Sequence, residues 1–370
     1  MEAVAPTPAS MPGPVSSDAL VERLFNATIA AMDIFSVYIG DRLGYYRSLA
    51  AEGPTTSAEL AARTGTAERY AREWLEQQAV TAILAVDDAG AEAADRRFRL
   101  PEGYETVLVD PDSLSTMAPV AQIFAGCVRP LPQLLDAFRS GGGVPYADYG
   151  VDLHEGMAGI NRPQFHHLLG QEWLPAMPDV HARLLADPSA RVADIGMGLA
   201  WSSIAIARAY PSATVDGFDI DEASVEAARA NVAAEGMADR VSVHVRDAGD
   251  PDLAGQNDLA LAVECIHDMP DPVSVLSSMR RLVGPAGTVL IVDEKVADTF
   301  TAPGDDVERF EYGFSILPCL PVGMVDQPSV ATGTVMRSST FRGYAVEAGF
   351  ASVEELPIEH DFFRFYRLGS

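Results

Sequence analysis

The sequence feature that most constrains the fold is the stretch VADIGMGLAW at residues 192–201. Its first four residues are largely apolar and predict a buried strand, while residues 200–209 are rich in small residues and predict a helix. Between them, Gly196 and Gly198 predict a tight turn, because glycine has no Cβ atom and tolerates positive φ. A strand, a glycine turn and a helix in this order predict a doubly wound α/β sheet, whose first turn faces a nucleotide-like ligand.

The residues around the turn distinguish two kinds of nucleotide-like ligand. A dinucleotide site would have a third glycine where this chain has Trp201, which leaves no space for a diphosphate. Acidic residues are present instead, since Asp194 precedes the glycines, Asp219 ends the next strand, and Asp247 follows the third. An acid that ends the second strand accepts hydrogen bonds from ribose hydroxyls, and Asp247 can accept one from an adenine amino group. The pattern therefore predicts a nucleoside that carries a cation and no phosphate.

Several motifs in the second half of the chain resemble the successive motifs of class I S-adenosylmethionine-dependent methyltransferases. They are DIGMG at 194–198, GFDID at 217–221, RDA at 246–248, ECIHDMP at 264–270, and the closing pair AGFASV at 348–353 and FRFYRL at 363–368. The resemblance covers residues 180–370 and departs at Ala200, where many members have a third glycine. It implies a Rossmann-like doubly wound sheet with a C-terminal antiparallel hairpin, S-adenosylmethionine as cofactor and S-adenosylhomocysteine as product.

The expected cofactor contacts follow the ends of the first strands. The resemblance implies that the glycine turn faces the methionine part, that Asp219 holds the ribose, and that Asp247 holds the adenine. We expect the whole set of cofactor-binding residues to be Asp194, Gly196, Met197, Gly198, Asp219, Ile220, Asp247, Ala248 and Glu264.

A candidate base follows the fourth predicted strand. Residues 258–266 form a near-continuous apolar run, and His267 and Asp268 come at its C-terminal end, where ligands of open α/β sheets bind. Histidine titrates near neutral pH and is therefore suited to remove a proton from a methyl acceptor. Glu294 ends the fifth strand and would orient His267 if the two strands are neighbours.

The resemblance agrees with this assignment. In plant-type O-methyltransferases the histidine of the His-Asp step is the general base and a carboxylate flanks it, which implies His267, Asp268 and Glu294 as the catalytic residues here. A second interpretation stays open, in which His267 only shapes the pocket and proximity of the reactants suffices.

Metal-assisted transfer is a further alternative, and it would need ligands beside His267 and Asp268. The later histidine, His360, falls in the closing hairpin, and Cys319 falls in a proline-rich loop, so we predict that no metal takes part. The three cysteines are far apart and form no CxxC pair, which predicts a reduced, cytoplasmic protein without disulfides or structural zinc.

The N-terminal part predicts a mostly helical winged-helix domain. Helical periodicity spans residues 18–50, a Thr56-x-x-Glu59 capping box opens the next helix, another helix spans 67–80, and two short strands flank a loop near residues 83–100. DNA binding is disfavoured because residues 53–100 contain six arginines, no lysine and eight acids, and the whole chain has a net charge of −27. The resemblance implies a dimerisation domain, and we expect a homodimer that binds neither nucleic acid nor membrane.

We expect four regions: a disordered tail without signal-peptide features at 1–17, the winged-helix dimerisation domain at 18–109, a helical connector or lid at 110–180, and the methyltransferase domain at 181–370. The sequence contains no run of about 18 apolar residues, so no membrane span is predicted.

The acceptor pocket is expected between the lid and a later insert. Aromatic and methionine residues at 146–177 follow the glycine-rich break SGGGV at 140–144, and the insert at 297–337 is also apolar. We therefore predict a small-molecule acceptor that is hydrophobic or aromatic. The alternative function is that of a winged-helix regulator or scaffold that binds S-adenosylmethionine without catalysis, because a fold alone does not establish an activity.

Overall fold

A computed structural model describes residues 16–369, and the chain divides into two compact units, the first ending at Asp110 and the second beginning at Pro111. Residues 1–15, which make up most of the expected N-terminal tail, lie outside the described residues. Ser16 is the N-cap of the first helix, and its side chain accepts a hydrogen bond from the Ala19 N–H. Among residues 16–369, none of the helices combines the length and apolar character that a membrane crossing requires.

The first unit is helical and has a two-stranded wing. Its elements are α1 (Ser17–Arg42), α2 (Tyr45–Glu52), α3 (Ser57–Thr64), α4 (Glu68–Val80), β1 (Ala85–Val86), β2 (Phe98–Arg99) and α5 (Glu105–Leu108). The two strands pair antiparallel, as the winged-helix pattern predicts. The predicted capping box is present, since Thr56 and Glu59 each accept a hydrogen bond from the backbone of the other. Trp74 of α4 packs edge-on against Tyr45 and Tyr46, at ring distances of 4.8 and 5.2 Å.

The second unit contains a sheet with helices on both faces. Before the sheet come α6 (Ala118–Val128), α7 (Leu131–Ser140), a 3₁₀ turn (Tyr146–Tyr149), α8 (Gly150–Gln164), a π-helical segment (Phe165–Trp173) and α9 (Pro178–Leu185). The sheet and its crossovers are β3 (Arg191–Ile195), α10 (Trp201–Ala209), β4 (Thr214–Asp219), α11 (Glu222–Ala234), β5 (Val241–Val245), β6 (Asn257–Val263), a 3₁₀ turn (Ile266–Asp268), α12 (Pro272–Leu282) and β7 (Val283–Glu294). The remainder is α13 (Asp306–Phe314), a π-helical turn (Ser315–Cys319), α14 (Leu320–Gly323), α15 (Ser338–Glu347), β8 (Ser352–Glu355) and β9 (Phe363–Gly369).

Within residues 111–369, seven strands form one sheet in the order β5-β4-β3-β6-β7-β9-β8. The first five are parallel, whereas β9 is antiparallel to both β7 and β8 and makes the predicted closing hairpin. Strands β6 and β7 are neighbours, with Val263 opposite Val292, so residues that follow β6 meet residues that end β7. β6 ends earlier than the apolar run predicts, because Glu264 adopts a left-handed conformation (φ 52) that interrupts the strand.

Two hydrophobic clusters cover the two faces of the sheet. In β6, Leu259 and Leu261 belong to the cluster that includes α10 and α11, whereas Ala260 and Ala262 belong to the cluster that includes α12 and α15. Successive residues of a strand point to opposite faces. The near-continuous apolar run of this strand therefore reflects burial on both faces, as predicted.

The glycine-rich segment after α7 is anchored at its far end. A Cβ atom on Gly143 would lie 2.3 Å from the backbone N of Val325, and the Val144 N–H donates a hydrogen bond to the Pro321 carbonyl at 3.0 Å. Glycine is needed at residue 143 because of this close backbone approach. The segment that the sequence presents as a free hinge is thus tied to the insert around α14.

Candidate functional site

The glycine turn after β3 is built from backbone conformations that favour glycine. Gly196 and Gly198 have φ values of 67 and 52, and the Gly196 N–H donates to the Phe218 carbonyl at 2.9 Å. A Cβ atom on Gly198 would meet nothing within 4 Å, so open space lies beside this residue. The Met197 side chain is buried and packs against Gly217. Its contact with a cofactor stays a prediction.

Asp194 is turned toward the helix that follows it. Its Oδ2 accepts hydrogen bonds from the hydroxyls of Ser202 and Ser203, both at 2.6 Å, and the residue is 1% exposed. Burial raises the pKa of Asp194 to about 6, although the two serine hydroxyls act in the opposite direction. Asp194 thus joins β3 to α10 and supports the turn from beneath.

Asp219 lies at the end of β4, beside the glycine turn. Its Oδ2 accepts a hydrogen bond from the Gly198 N–H and its Oδ1 accepts one from the Asp221 N–H, both at 2.9 Å. Burial raises the pKa of this carboxyl, and the backbone N–H groups oppose that shift. A carboxylate has about four lone-pair positions, so Asp219 retains acceptor positions for the two hydroxyls of a ribose. The open space at Gly198 and this acid fit an adenosyl group.

The remaining predicted cofactor residues lie at the edge of the same strand ends. The Ile220 side chain is exposed, and Ala248 is half-buried against one core cluster. Asp247 is exposed, and its Oδ1 accepts a hydrogen bond from the Gly249 N–H at 2.7 Å. Tyr146 stacks on His154 with the ring centroids 4.2 Å apart. Burial, followed by the charges of Asp219, Asp268 and Asp221, raises the Tyr146 pKa.

His267 is buried in the 3₁₀ turn that follows β6 and is surrounded by carboxylates. Its Nδ1 lies 2.6 Å from Asp293 Oδ1 and 2.8 Å from Glu294 Oε2, and its Nε2 lies 3.1 Å from Asp268 Oδ1. The imidazole and Glu294 meet because β6 and β7 are neighbours, as the spacing predicts. Asp293, which was not among the predicted catalytic residues, makes the shortest of these contacts. The available signal was its position at the end of the same buried strand.

These contacts determine the protonation of the cluster. Burial lowers the pKa of His267, but Glu294, Asp268 and Asp293 together raise it well above the usual histidine value. Burial raises the pKa of Asp293, but its interactions with His267 and Glu294 hold it below its ordinary value. Burial dominates at Glu294 and raises its pKa well above the usual range. The cluster therefore favours the imidazolium form of His267 and the ionised form of Asp293, whereas burial disfavours ionisation of Glu294.

Cys319 lies in this cluster, which corrects the sequence interpretation. It ends the π-helical turn Ser315–Cys319 and is buried beside His267 instead of lying in a loop. His267, Asp268 and Cys319 have potential ligand atoms within 4.8 Å of one another, as do His267, Asp293 and Glu294.

The geometry and chemistry of these groups bear on metal binding. A metal at about 2.1 Å from both a nitrogen and an oxygen would separate them by roughly 3.4 Å, so the short contacts of His267 to Asp293 and Glu294 are hydrogen-bond distances. Burial raises the pKa of the Cys319 thiol and disfavours the thiolate that metals bind. That no metal takes part stays a prediction.

Two further carboxylates face the same cluster. Glu264 was predicted as a cofactor residue, and the structure places it at the end of β6, where its Oε2 accepts a hydrogen bond from the Asn161 amide of α8. Burial raises the pKa of Glu264 to about 7. Glu311 of α13 was not predicted at all, and it is 4% exposed. Burial, followed by the charge of Glu264, raises the pKa of Glu311 to about 7.

Family models match both units of the chain. A model described as a Rv2258c-like winged HTH domain matches residues 30–109, and a model described as a methyltransferase domain matches residues 186–313. Methyltransferase GfsG of Streptomyces halstedii is 33% identical over 129 residues, which are 35% of this chain and 45% of that protein. The ubiquinone biosynthesis O-methyltransferase of Aromatoleum aromaticum is 30% identical over 183 residues, which are 49% of this chain and 72% of that protein.

The coverage differs between relatives and solved structures. The chain spans less than half the length of GfsG and of several other curated relatives that it matches. The structure of human N-acetylserotonin methyltransferase in complex with SAM is similar over 97% of this chain and 100% of that one, with a TM-score of 0.64 and 19% identity, and this likeness concerns the fold. Together with the strand order, these matches confirm the predicted fold class, winged-helix region and cofactor. The chain belongs to the S-adenosylmethionine-dependent methyltransferases.

Proposed function

We propose that this chain transfers a methyl group from S-adenosylmethionine to a small-molecule acceptor that is hydrophobic or aromatic, with His267 as the general base. The observation that carries the proposal is the buried imidazole at the carboxyl end of β6, whose Nδ1 is paired with Asp293 while its Nε2 is directed toward Asp268. This is the arrangement of an oriented base at the strand ends where ligands of such sheets bind. The apolar side chains of α13, including Phe310 and Phe314 with rings 4.8 Å apart, support an aromatic acceptor.

The residues of the chain have distinct roles in this proposal. Gly196, Gly198 and Asp219 hold the adenosyl and methionine parts of the cofactor. S-adenosylmethionine bound there would supply an electrophilic methyl carbon, with S-adenosylhomocysteine as the leaving group. Asp293 holds the Nδ1 proton of His267, so that Nε2 is the atom that takes the acceptor's proton. Because the surrounding carboxyl groups raise the pKa of His267, we expect the reaction to require pH values above the usual histidine range.

The experiment replaces His267 with glutamine after the acceptor has been found. Incubation of cell extract with methyl-labelled S-adenosylmethionine and mass spectrometry of the products identifies an acceptor. The variant should lower kcat by about 10²-fold or more if His267 is the base, while the affinity for S-adenosylhomocysteine stays unchanged. A decrease of kcat by less than about threefold would favour the other interpretation, in which His267 only shapes the pocket.

We also propose that the chain forms a homodimer through its N-terminal unit. The 26-residue helix α1 carries a large set of apolar side chains that are 37–66% exposed: Leu20, Val21, Leu24, Phe25, Ile29, Met32, Phe35 and Ile39. Such a continuous apolar surface is typical of a protein interface. Replacing Leu24 and Phe25 by glutamate should give monomers in analytical ultracentrifugation, and Tyr70→Glu on α4, which is 79% exposed, is the matched control. A monomeric wild-type chain would contradict the proposal.

The pairing of arginines on α4 supports a role other than DNA binding. Arg69 pairs with Glu73 at 2.5 Å and Arg72 with Glu68 at 3.3 Å, so little free positive charge remains for phosphates.

We further propose the domain limits 18–109, 110–180 and 181–370 for the dimerisation, lid and methyltransferase parts. A cytoplasmic location is proposed because Cys127, Cys265 and Cys319 are all free.

A further inference from the structure

The surroundings of His267 are strongly acidic. Five carboxyl side chains converge there from four elements: Glu264, Asp268, Asp293, Glu294 and Glu311. Among the residues that the structure describes, none of the five forms an ion pair or hydrogen bond with a lysine or arginine, and His267 is the cationic side chain that they share. The pocket therefore contains more carboxyl groups than cationic groups, although burial raises the pKa values of Glu264, Glu294 and Glu311.

Glu311 is the member that the protein leaves without a partner. Glu311 is 4% exposed, the charges of Glu264, His267 and Asp293 act on its carboxyl, and no described residue donates a hydrogen bond to it. Asp293 Oδ2 is buried, and beyond the interaction of Asp293 with the Glu294 carboxyl no hydrogen-bond partner reaches this oxygen. A buried carboxylate without a partner is costly. These two groups thus present acceptor oxygens to something that the chain does not contain.

A second buried glutamate on α13, unlike Glu311, has hydrogen-bond donors from the chain itself. Glu308 is 3% exposed, and its two oxygens accept hydrogen bonds from the Arg337 guanidinium at 2.5 Å and from the Ala297 N–H at 3.3 Å. One turn of helix later, Glu311 is equally buried and has no such donor. Burial alone therefore does not explain why α13 carries Glu311. A cation on a ligand, occupying the place that Arg337 has beside Glu308, would explain it.

We propose that the methyl acceptor carries a basic nitrogen that is protonated in solution, and that Glu311 and Asp293 bind this cation. The inference rests on the proposed function and specifies the class of its acceptor, an apolar or aromatic amine. The rings of Phe310 and Phe314 on the same helix would accompany the apolar part. Because Glu311 has its pKa near neutrality, arrival of a cation should ionise it and release a proton.

The test measures binding to the full chain saturated with S-adenosylhomocysteine, by calorimetry near pH 6.5 in two buffers of different ionisation enthalpy. The probes are tyramine, 4-ethylphenol and 3-(4-hydroxyphenyl)propanoate, which share one ring and differ in charge. Tyramine should bind about tenfold or more tightly than 4-ethylphenol, with proton release, and the propanoate should bind more weakly than both. Glu311→Gln should abolish the preference for tyramine, whereas Asp306→Asn, on the same helix with a 95% exposed side chain, should retain it.

The outcomes distinguish failure of this inference from failure of the proposed methyltransferase function. Failure of S-adenosylhomocysteine to bind overturns the proposed function and the inference with it. If the cofactor product binds but tyramine shows no preference, or no probe binds, the inference is overturned and the methyltransferase proposal stands. If Glu311→Gln weakens S-adenosylmethionine relative to S-adenosylhomocysteine and leaves the tyramine preference intact, Glu311 balances the sulfonium, which also overturns the inference. If the Glu311→Gln variant does not fold, the preference of the wild type among the three probes still tests whether the site binds a cationic acceptor.

Discussion

Replacing Asp219 with alanine tests the assignment of the cofactor site most directly. Asp219 already accepts one hydrogen bond from each of two backbone N–H groups, Gly198 and Asp221, and has acceptor positions left for two ribose hydroxyls. The substitution therefore removes the ribose contacts and also releases the glycine turn. Asp219 is held in place before the ligand arrives, so its hydrogen bonds require little ordering at the moment of binding.

The size of the effect follows from the number of hydrogen bonds. A hydrogen bond to a charged group contributes about 1.5–3 kcal/mol, so two of them correspond to about 3–6 kcal/mol. This is a loss of roughly 10²–10⁴-fold in affinity, because about 1.4 kcal/mol changes Kd tenfold. Asp219→Asn keeps one carbonyl oxygen and should fall between the wild type and Asp219→Ala.

The assay is isothermal titration calorimetry with S-adenosylhomocysteine, and thermal denaturation checks that each variant is folded. The matched control is Asp216→Ala on the same strand, since Asp216 contacts Arg191 and His244 and lies away from the glycine turn. The control should bind within about threefold of the wild type. A folded Asp219→Ala that also binds within about threefold of the wild type would refute the assignment of Asp219 to the ribose.

Two further predictions concern buried carboxylates. The kcat/KM of the wild type should rise with pH through the raised pKa of His267. Asp293→Asn should move this rising part of the pH profile to lower pH, because the substitution removes one of the carboxylates that stabilise the imidazolium. The others are Glu294, Asp268 and Glu264. A rising part that stays in place would contradict this electrostatic account. Asp194 has its pKa raised from 3.8 to about 6 in the folded state, so the folded protein binds more protons there and loses about 3 kcal/mol of stability as pH rises from about 4 to 6. Asp194→Asn should flatten this part of the pH dependence in urea denaturation, and an unchanged difference between pH 4 and 6 would count against it.

Much of the fold could be predicted because its signals are local. The capping box at Thr56 and Glu59, the glycine turn after β3, and the apolar run of β6 are patterns of neighbouring residues, and each has the structure it predicts. The end of β6 was placed three residues too late, because the interruption comes from the left-handed conformation of Glu264, to which hydropathy is insensitive.

The candidate site was predicted where residues follow strand ends in one sheet. The pairing of His267 with Glu294 needed only the expectation that β6 and β7 are adjacent. Met197 was predicted as a cofactor residue because it stands in the motif, and its side chain packs beside Gly217. A motif gives the position of a residue along the chain, whereas the direction of its side chain depends on the packing below it.

The sequence by itself determined the succession of strands and helices along the chain, the glycine turn, the acid at the end of β4 and the histidine after β6. Each of these depends on periodicity or on residues close together in the chain. Only the tertiary structure decided that Asn161, Glu311 and Cys319 join His267 in one buried cluster. Asn161 comes from α8, whereas Glu311 and Cys319 come from α13 and the π-helical turn that continues it, and no periodicity along the chain records how these helices pack. The charge of the pocket, and with it the protonation of His267, arises from distances between side chains that exist only in the folded molecule.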